Sequence, residues 1–354
     1  MQPQMNDVEN LIKTTTPKDV LTTDQLMEAW SRCDPIEFGD PVLAHVSFSH
    51  REMFFPLGFP VSVETNSPEV LIAAKRSWGR FTQQFTTETI QIQVGITATE
   101  SAHCPPTPIC RMRDHILTSI ADGENFVLSD LSERNSLVWA TEAALGHGDY
   151  FRYFFLESAA MANISASCAT AIHAGCVALS GDGVLLCGDS GAGKSTLSYA
   201  CARAGWTYTT DDASFLVNEH DSDLVVGNCH QVRFRPAAQT FFPELGALTV
   251  MKRAGVGKPS VELPTDMQIA VAASARIKHI VFLKRNVSVQ ELVPFPLQVA
   301  RLFMQQHVHC MPYRVLPQMA AIDRLLTREV YELRYNDLDW AVDRLTCLVR
   351  NGSL

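Results

Sequence analysis

The chain has 354 residues, 46% of them hydrophobic, enough for one large or two ordinary globular domains with a sizeable core. A formal charge of −9 argues against nonspecific nucleic-acid binding, which needs a basic surface, but leaves room for a local cationic pocket. No run of about 18 apolar residues occurs, and residues 1–16 lack a basic and an apolar signal region, so neither a membrane span nor a signal peptide is expected.

In chain order, residues 1–40 read as a partly mobile leader with one short helix, capped at Thr22 or Thr23 and striped by Leu26, Met27 and Trp30. Residues 41–148 read as a smaller α+β region of unassigned role. Val61 and Val63 alternate as a strand, and Ser67-Pro68-Glu69 opens a helix through Trp78. Ile90, Ile92, Val94 and Ile96 share one strand face, Asp122-Gly123 joins a hairpin, and 137–141 is a further apolar run. Cys104-Pro-Pro-Thr-Pro108 reads as a surface loop. Residues 149–169 predict a long buried helix on Phe151, Phe154, Phe155, Ser158 and Ala162.

Two strands joined across 180–183 follow, the second running through 184–187 into the stretch Gly188-Asp189-Ser190-Gly191-Ala192-Gly193-Lys194-Ser195-Thr196. This satisfies G-x-x-x-x-G-K-[ST], and a helix-compatible run to Ala204 comes next, ending at Gly205. The glycines let the backbone wrap a polyphosphate, and the helix N-terminus faces its charge. Lys194 is expected to reach the β- and γ-phosphates and Ser195 to hold Mg²⁺. A strand over 206–210 ends at Asp211-Asp212, where one carboxylate would hold Mg²⁺ and the other accept the proton of an incoming hydroxyl. The competing reading is a turn pair that caps a hairpin.

His173 precedes the loop strand, as a γ-phosphate or acceptor contact or as a satisfied core histidine. Arg233 and Arg235 are transition-state cations or surface ion pairs. Pro236 opens a short helix to Phe242, and 252–258 is a basic, glycine-bearing loop. Strands are expected at 277–283 and 330–335, and a helix at 296–306. A terminal helix, capped by Asn336 or Asp337, carries Leu338, Ala341, Leu345 and Leu348. Ten scattered cysteines without a C-x-x-C pair read as reduced thiols of a cytoplasmic protein, with Cys176, Cys187 and Cys201 in core elements. The clusters His307-Val-His309-Cys310 and His103-Cys104 with Cys110 match no standard zinc spacing.

The block His173-Ala-Gly, Gly188 to Ser195, Arg203-Ala-Gly205 and Asp211-Asp212 resembles the C-terminal catalytic domain of bacterial HPr kinase/phosphorylase. The likeness is specific over about 171–214 and does not reach the N-terminal part. It implies an α/β (α+β) fold: a carboxykinase-like P-loop kinase core with mixed sheets over 149–354. It implies ATP and Mg²⁺ as cofactors, with His173, Lys194, Ser195, Asp211 and Asp212 in the catalytic and metal roles. Which aspartate is the base stays open. The family's Glu-x-Arg-Gly segment is not evident; Gln231-Val-Arg-Phe-Arg235 is the nearest stretch. The expectation is therefore an ATP-dependent kinase acting on a hydroxyl of a protein, peptide or small molecule. The alternative is a non-catalytic ATP-binding sensor. No nucleic-acid or membrane partner is expected, and the family is often hexameric, which leaves room for a homo-oligomer.

Overall fold

Period-two alternation of apolar residues lays down the first sheet. The computed structural model describes residues 22–33, 47–218, 223–233, 238, 240–246, 248, 250, 260–263, 267–285, 287–306 and 315–352. Arg235, Pro236, 252–258 and the 307–310 cluster lie outside them. Helix α1 (Thr23–Arg32) has a capping box between Thr22 and Gln25, yet buries no residue; Met27 and Trp30 are exposed. Strands β1 (His50–Phe54), β2 (Val61–Thr65), β3 (Ile90–Thr97), β4 (Ile109–Arg113), β5 (Ile116–Ile120), β6 (Phe126–Asp130) and β7 (Asn135–Thr141) form a sheet in the order β1-β2-β3-β7-β6-β5-β4. β3 is parallel to both β2 and β7; the other pairs are antiparallel.

Helix α2 (Pro68–Trp78) makes the crossover between β2 and β3. Ser67 sits at its N-cap position without capping a backbone amide; its hydroxyl donates to Glu69 instead. Short helices α3 (Glu142–Gly146) and α4 (Gly148–Phe151) lead into a π-helical segment, Arg152–Glu157, and then α5 (Ser158–Ser167). This is the expected long helix, but its inner face differs. Phe151, Phe155, Leu156, Ala159, Ala160 and Ile164 are buried, whereas Phe154, Ser158 and Ala162 are only partly so. The π segment is underwound, so the apolar stripe steps by one residue partway along the helix.

Strands β8 (Ala169–Ile172), β9 (Gly175–Leu179) and β10 (Asp182–Cys187) open the second sheet, and β9 and β10 form the expected hairpin. Ser180 and Gly181 turn it with φ of 54° and 94°, the left-handed geometry of a tight hairpin. There follow α6 (Lys194–Arg203), β11 (Thr207–Thr210), β12 (Ser214–Val217), β13 (Leu224–Gly227), β14 (Gln231–Arg233), α7 (Pro243–Gly246) and β15 (Ser260–Glu262). The chain closes with β16 (Ser274–Arg285), β17 (Glu291–Pro294), α8 (Leu297–Gln306), α9 (Val315–Leu325), β18 (Glu329–Tyr335) and α10 (Leu338–Asn351), capped by Asp337.

The nine-stranded order is β11-β9-β10-β16-β13-β12-β8, with β18 on β16 and β17 on β18. The long strand β16 joins two halves. Its start, Ser274–Arg276, pairs with β13, and its later residues pair in parallel with β10 and β18. β14 and β15 make a separate ribbon. An apolar cluster runs from the first sheet through α5 to Phe215 and Val217 on β12. The molecule is thus a mixed α/β structure built on several mixed sheets. Among the described residues no helix is long and apolar enough to cross a membrane. Cys176, Cys187 and Cys201 are fully buried, and burial pushes the Cys176 and Cys187 thiols up to about 12, as inert packing groups require.

Candidate functional site

The glycine loop follows β10 directly and ends in α6. Gly188, Gly191 and Gly193 have φ of 138°, 94° and 101°, values that side-chain-bearing residues rarely adopt. The amide of Ala192 donates to Asp189 O at 3.1 Å and closes the loop, while Asp189, Ser190 and Gly191 face solvent. The first helical bond runs from Leu197 N to Gly193 O, so the amides of Lys194, Ser195 and Thr196 have no intrahelical acceptor. Lys194 is buried at 3% exposure, and its ammonium donates to Gly188 O at 2.6 Å and Asp189 O at 3.2 Å. The lysine is therefore folded over the loop it belongs to.

The three strands β10, β16 and β18 run parallel and end together at this loop. Their ends bring in two groups that sequence reasoning missed, Arg285 and Tyr335. A Cβ on Gly193 would strike Tyr335 Oη and come within 2.9 Å of Arg285 Cδ. The Arg285 guanidinium lies over the Tyr335 ring at 5.8 Å, and its Nε has no hydrogen-bond partner among the described residues. Beside them is a groove of about 740 Å³, bordered by Thr196, Arg203, Phe241, Arg285, Tyr335 and Asn336.

A second set of residues meets where the chain twice crosses between the halves of the second sheet. One crossing is His173-Ala174, between β8 and β9. The other is Asp211-Asp212-Ala213, between β11 and β12. His173 thus lies in a turn rather than on the strand, because the chain there leaves its pairing with β12 to join β10. Ser214 Oγ donates to Ala174 O at 2.9 Å and ties the two crossings together. Gly175 allows the approach: a Cβ there would meet Ser198 Oγ at 2.5 Å and Asp211 O at 3.3 Å.

The two aspartates differ. Asp211 is 3% exposed; its carboxylate accepts a hydrogen bond from Arg233 N at 3.1 Å and lies 3.1 Å from Tyr208 Oη. Burial pushes it up to about 6, opposed by the nearby Ser195 side chain and aided by the charge of Asp212. Asp212 is more accessible, at 16%. Its Oδ2 is 3.2 Å from Arg233 Nη1 and its Oδ1 3.7 Å from His173 Nδ1. Burial lowers the Arg233 guanidinium, but Asp212, Tyr153 and Asp211 outweigh it and leave the group more basic than usual. The structure therefore gathers His173, Ser195, Asp211, Asp212 and Arg233 into one constellation.

Tyr208 and Tyr153 were also missed. Tyr208 Oη donates to Gln231 O at 2.8 Å, and the Tyr153 ring lies 6.0 Å from the Arg233 guanidinium. Tyr208 had a faint signal, three positions before Asp211 on a short strand. Tyr153 had none, being far away in sequence.

Neither a known family model nor a curated protein matches the chain. Among solved structures it is similar to an Hpr(Ser) kinase/phosphatase from Coxiella burnetii, at 16% identity over 51% of this chain and 95% of that one, with a TM-score of 0.26. This is a weak structural neighbour, and a TM-score that low does not establish a shared fold.

Proposed function

We propose that the chain is an ATP- and Mg²⁺-dependent phosphotransferase that moves the γ-phosphoryl group to a hydroxyl. The observation that carries the reading is the position of Asp211. It is buried at the end of β11, close enough for Ser195 of the glycine loop to counter the rise in its pKa, and it lines the same cleft as Asp212. The glycine loop and the carboxylate pair thus meet at Asp211.

The glycine loop and the amides at the start of α6 hold the β- and γ-phosphates. Lys194 leaves Gly188 O and Asp189 O and turns its ammonium to those phosphates. Ser195 Oγ and the Asp211 carboxylate, both hard oxygen donors, fit Mg²⁺, which when bound neutralises phosphate charge. Asp212, held by His173 and Arg233, takes the proton of the acceptor hydroxyl as its oxygen bonds to phosphorus. The bond from the γ-phosphorus to the β-γ bridging oxygen breaks, and ADP leaves. Arg285, at the edge of the loop, stabilises the charge that develops. The groove beside Thr196 and Tyr335 takes the nucleoside.

Asp212→Asn should lower γ-phosphate turnover by about 10²-fold or more while ATP still binds. Lys194→Ala should weaken both. Tight Mg-ATP binding without turnover in the wild type, across many acceptors, would replace this reading with a non-catalytic ATP sensor.

A further inference from the structure

The Asp pair faces a cleft whose other wall comes from the first sheet and its helices. Pro56 and Leu57 reach it from the β1–β2 connection, Trp78 and Phe81 from the end of α2, and Met161 from α5. The residues facing them, 210–213, are the crossing that carries the aspartates, and Arg233 adjoins it. The apolar wall is built in rather than incidental. Leu57 is 3% exposed and held at φ 53°, a conformation that costs a non-glycine residue about 1–2 kcal/mol. Gly58 O accepts from Gln84 N and Phe85 N at 2.9 and 3.1 Å, which fixes that turn in place.

The cleft measures about 90 Å³. At about 10–15 Å³ for each water-sized position it admits roughly six to nine non-hydrogen atoms. We infer that this cleft is the acceptor site, and that the acceptor is a small alcohol with a compact apolar body and its hydroxyl at the Asp212 end. The assignment rests on the phosphotransfer reading. A serine on a folded protein fits less well: its side chain is too short to cover Trp78, Phe81 and Met161, although Ser77, Glu157, Asn228 and Gln231 give the cleft a polar lining as well.

The test uses the full-length chain with benzyl alcohol as probe and a serine-containing peptide as competitor. Two readouts are kept apart: binding of benzyl alcohol without nucleotide, by saturation-transfer NMR, and transfer of labelled γ-phosphate from Mg-ATP. Two variants change the cleft in opposite senses. Met161→Trp fills it and should cut binding and transfer to benzyl alcohol about tenfold or more. Leu57→Gly enlarges it, relieves the positive φ, and should shift preference toward 4-phenylbutanol. That gain requires a folded, active protein, so it is readable even if Met161→Trp misfolds. Transfer that prefers the peptide, or alcohol binding that neither variant changes, overturns the assignment. Alcohol binding that responds to both variants, with no phosphate leaving ATP, supports the cleft as an alcohol site and overturns the phosphotransfer reading instead.

Discussion

Asp211 and Asp212 are adjacent in sequence but differ in solvation, and the difference divides their roles. Ionised Asp211 must be held at 3% exposure, with partial compensation from Ser195 and the Arg233 amide. Between its ordinary value near 3.8 and its folded value of about 6, the folded chain binds more protons than the unfolded one. Stability therefore falls as pH rises through that window. Asp211→Asn should melt above the wild type at pH 7.5 in metal-free buffer, by up to about 3 kcal/mol, with the gap closing by pH 4. Thermal melts at several pH values check this; a gap independent of pH would contradict it. The aspartate pair and the lysine were legible in the sequence, because their spacing from the glycine loop is local. Arg285 and Tyr335 were not. They reach the loop through parallel pairings of β10 with β16 and of β16 with β18, and the sequence does not print those pairings.

At the scale of elements, the strand–loop–helix unit depends on backbone geometry as much as on side chains. Gly193 caps α6 at φ 101°, beneath Tyr335 and Arg285. Gly193→Ala should cost about 1–2 kcal/mol in backbone strain, and more from the clash with Tyr335. Nucleotide affinity should fall with it, since the loop must open to make room; titration with a fluorescent ATP analogue measures this. Gly181→Ala serves as a contrast, because its Cβ would meet nothing within 4 Å and only the strain of φ 94° remains. The β9–β10 hairpin was readable from Ser180-Gly-Asp-Gly183, since a turn and its flanking strands are contiguous. The break at His173 was not. A strand that changes partners midway keeps its alternation, and only the tertiary pairing shows where it turns.

Across the whole molecule, the helices beside the first sheet are tied to the β14–β15 ribbon next to the candidate acceptor cleft. Arg152 is 4% exposed; its Nε donates to Ser77 Oγ at 2.9 Å and its Nη2 to Glu262 Oε1 at 3.0 Å. Ser77 Oγ in turn donates to Glu157 Oε1 at 2.9 Å. One guanidinium thus links α2, the π-helical segment and β15. Arg152→Met should cost about 1–3 kcal/mol by stranding these partners, and should lower the cooperativity of unfolding seen by calorimetry. That tie was invisible in the sequence, because its members lie far apart along the chain. The π-helical segment has a consequence for chain length as well. Its surplus residue is absorbed in the widened turn. Deleting one residue within 152–157 would restore ordinary winding and leave the following side chains on their present azimuth. Inserting one residue within 158–160, beyond that turn, would instead swing Met161 by about 100° out of the wall of the cleft while the glycine loop stayed untouched. The deletion should therefore be tolerated, and the insertion should uncouple what the protein accepts from what it binds as donor.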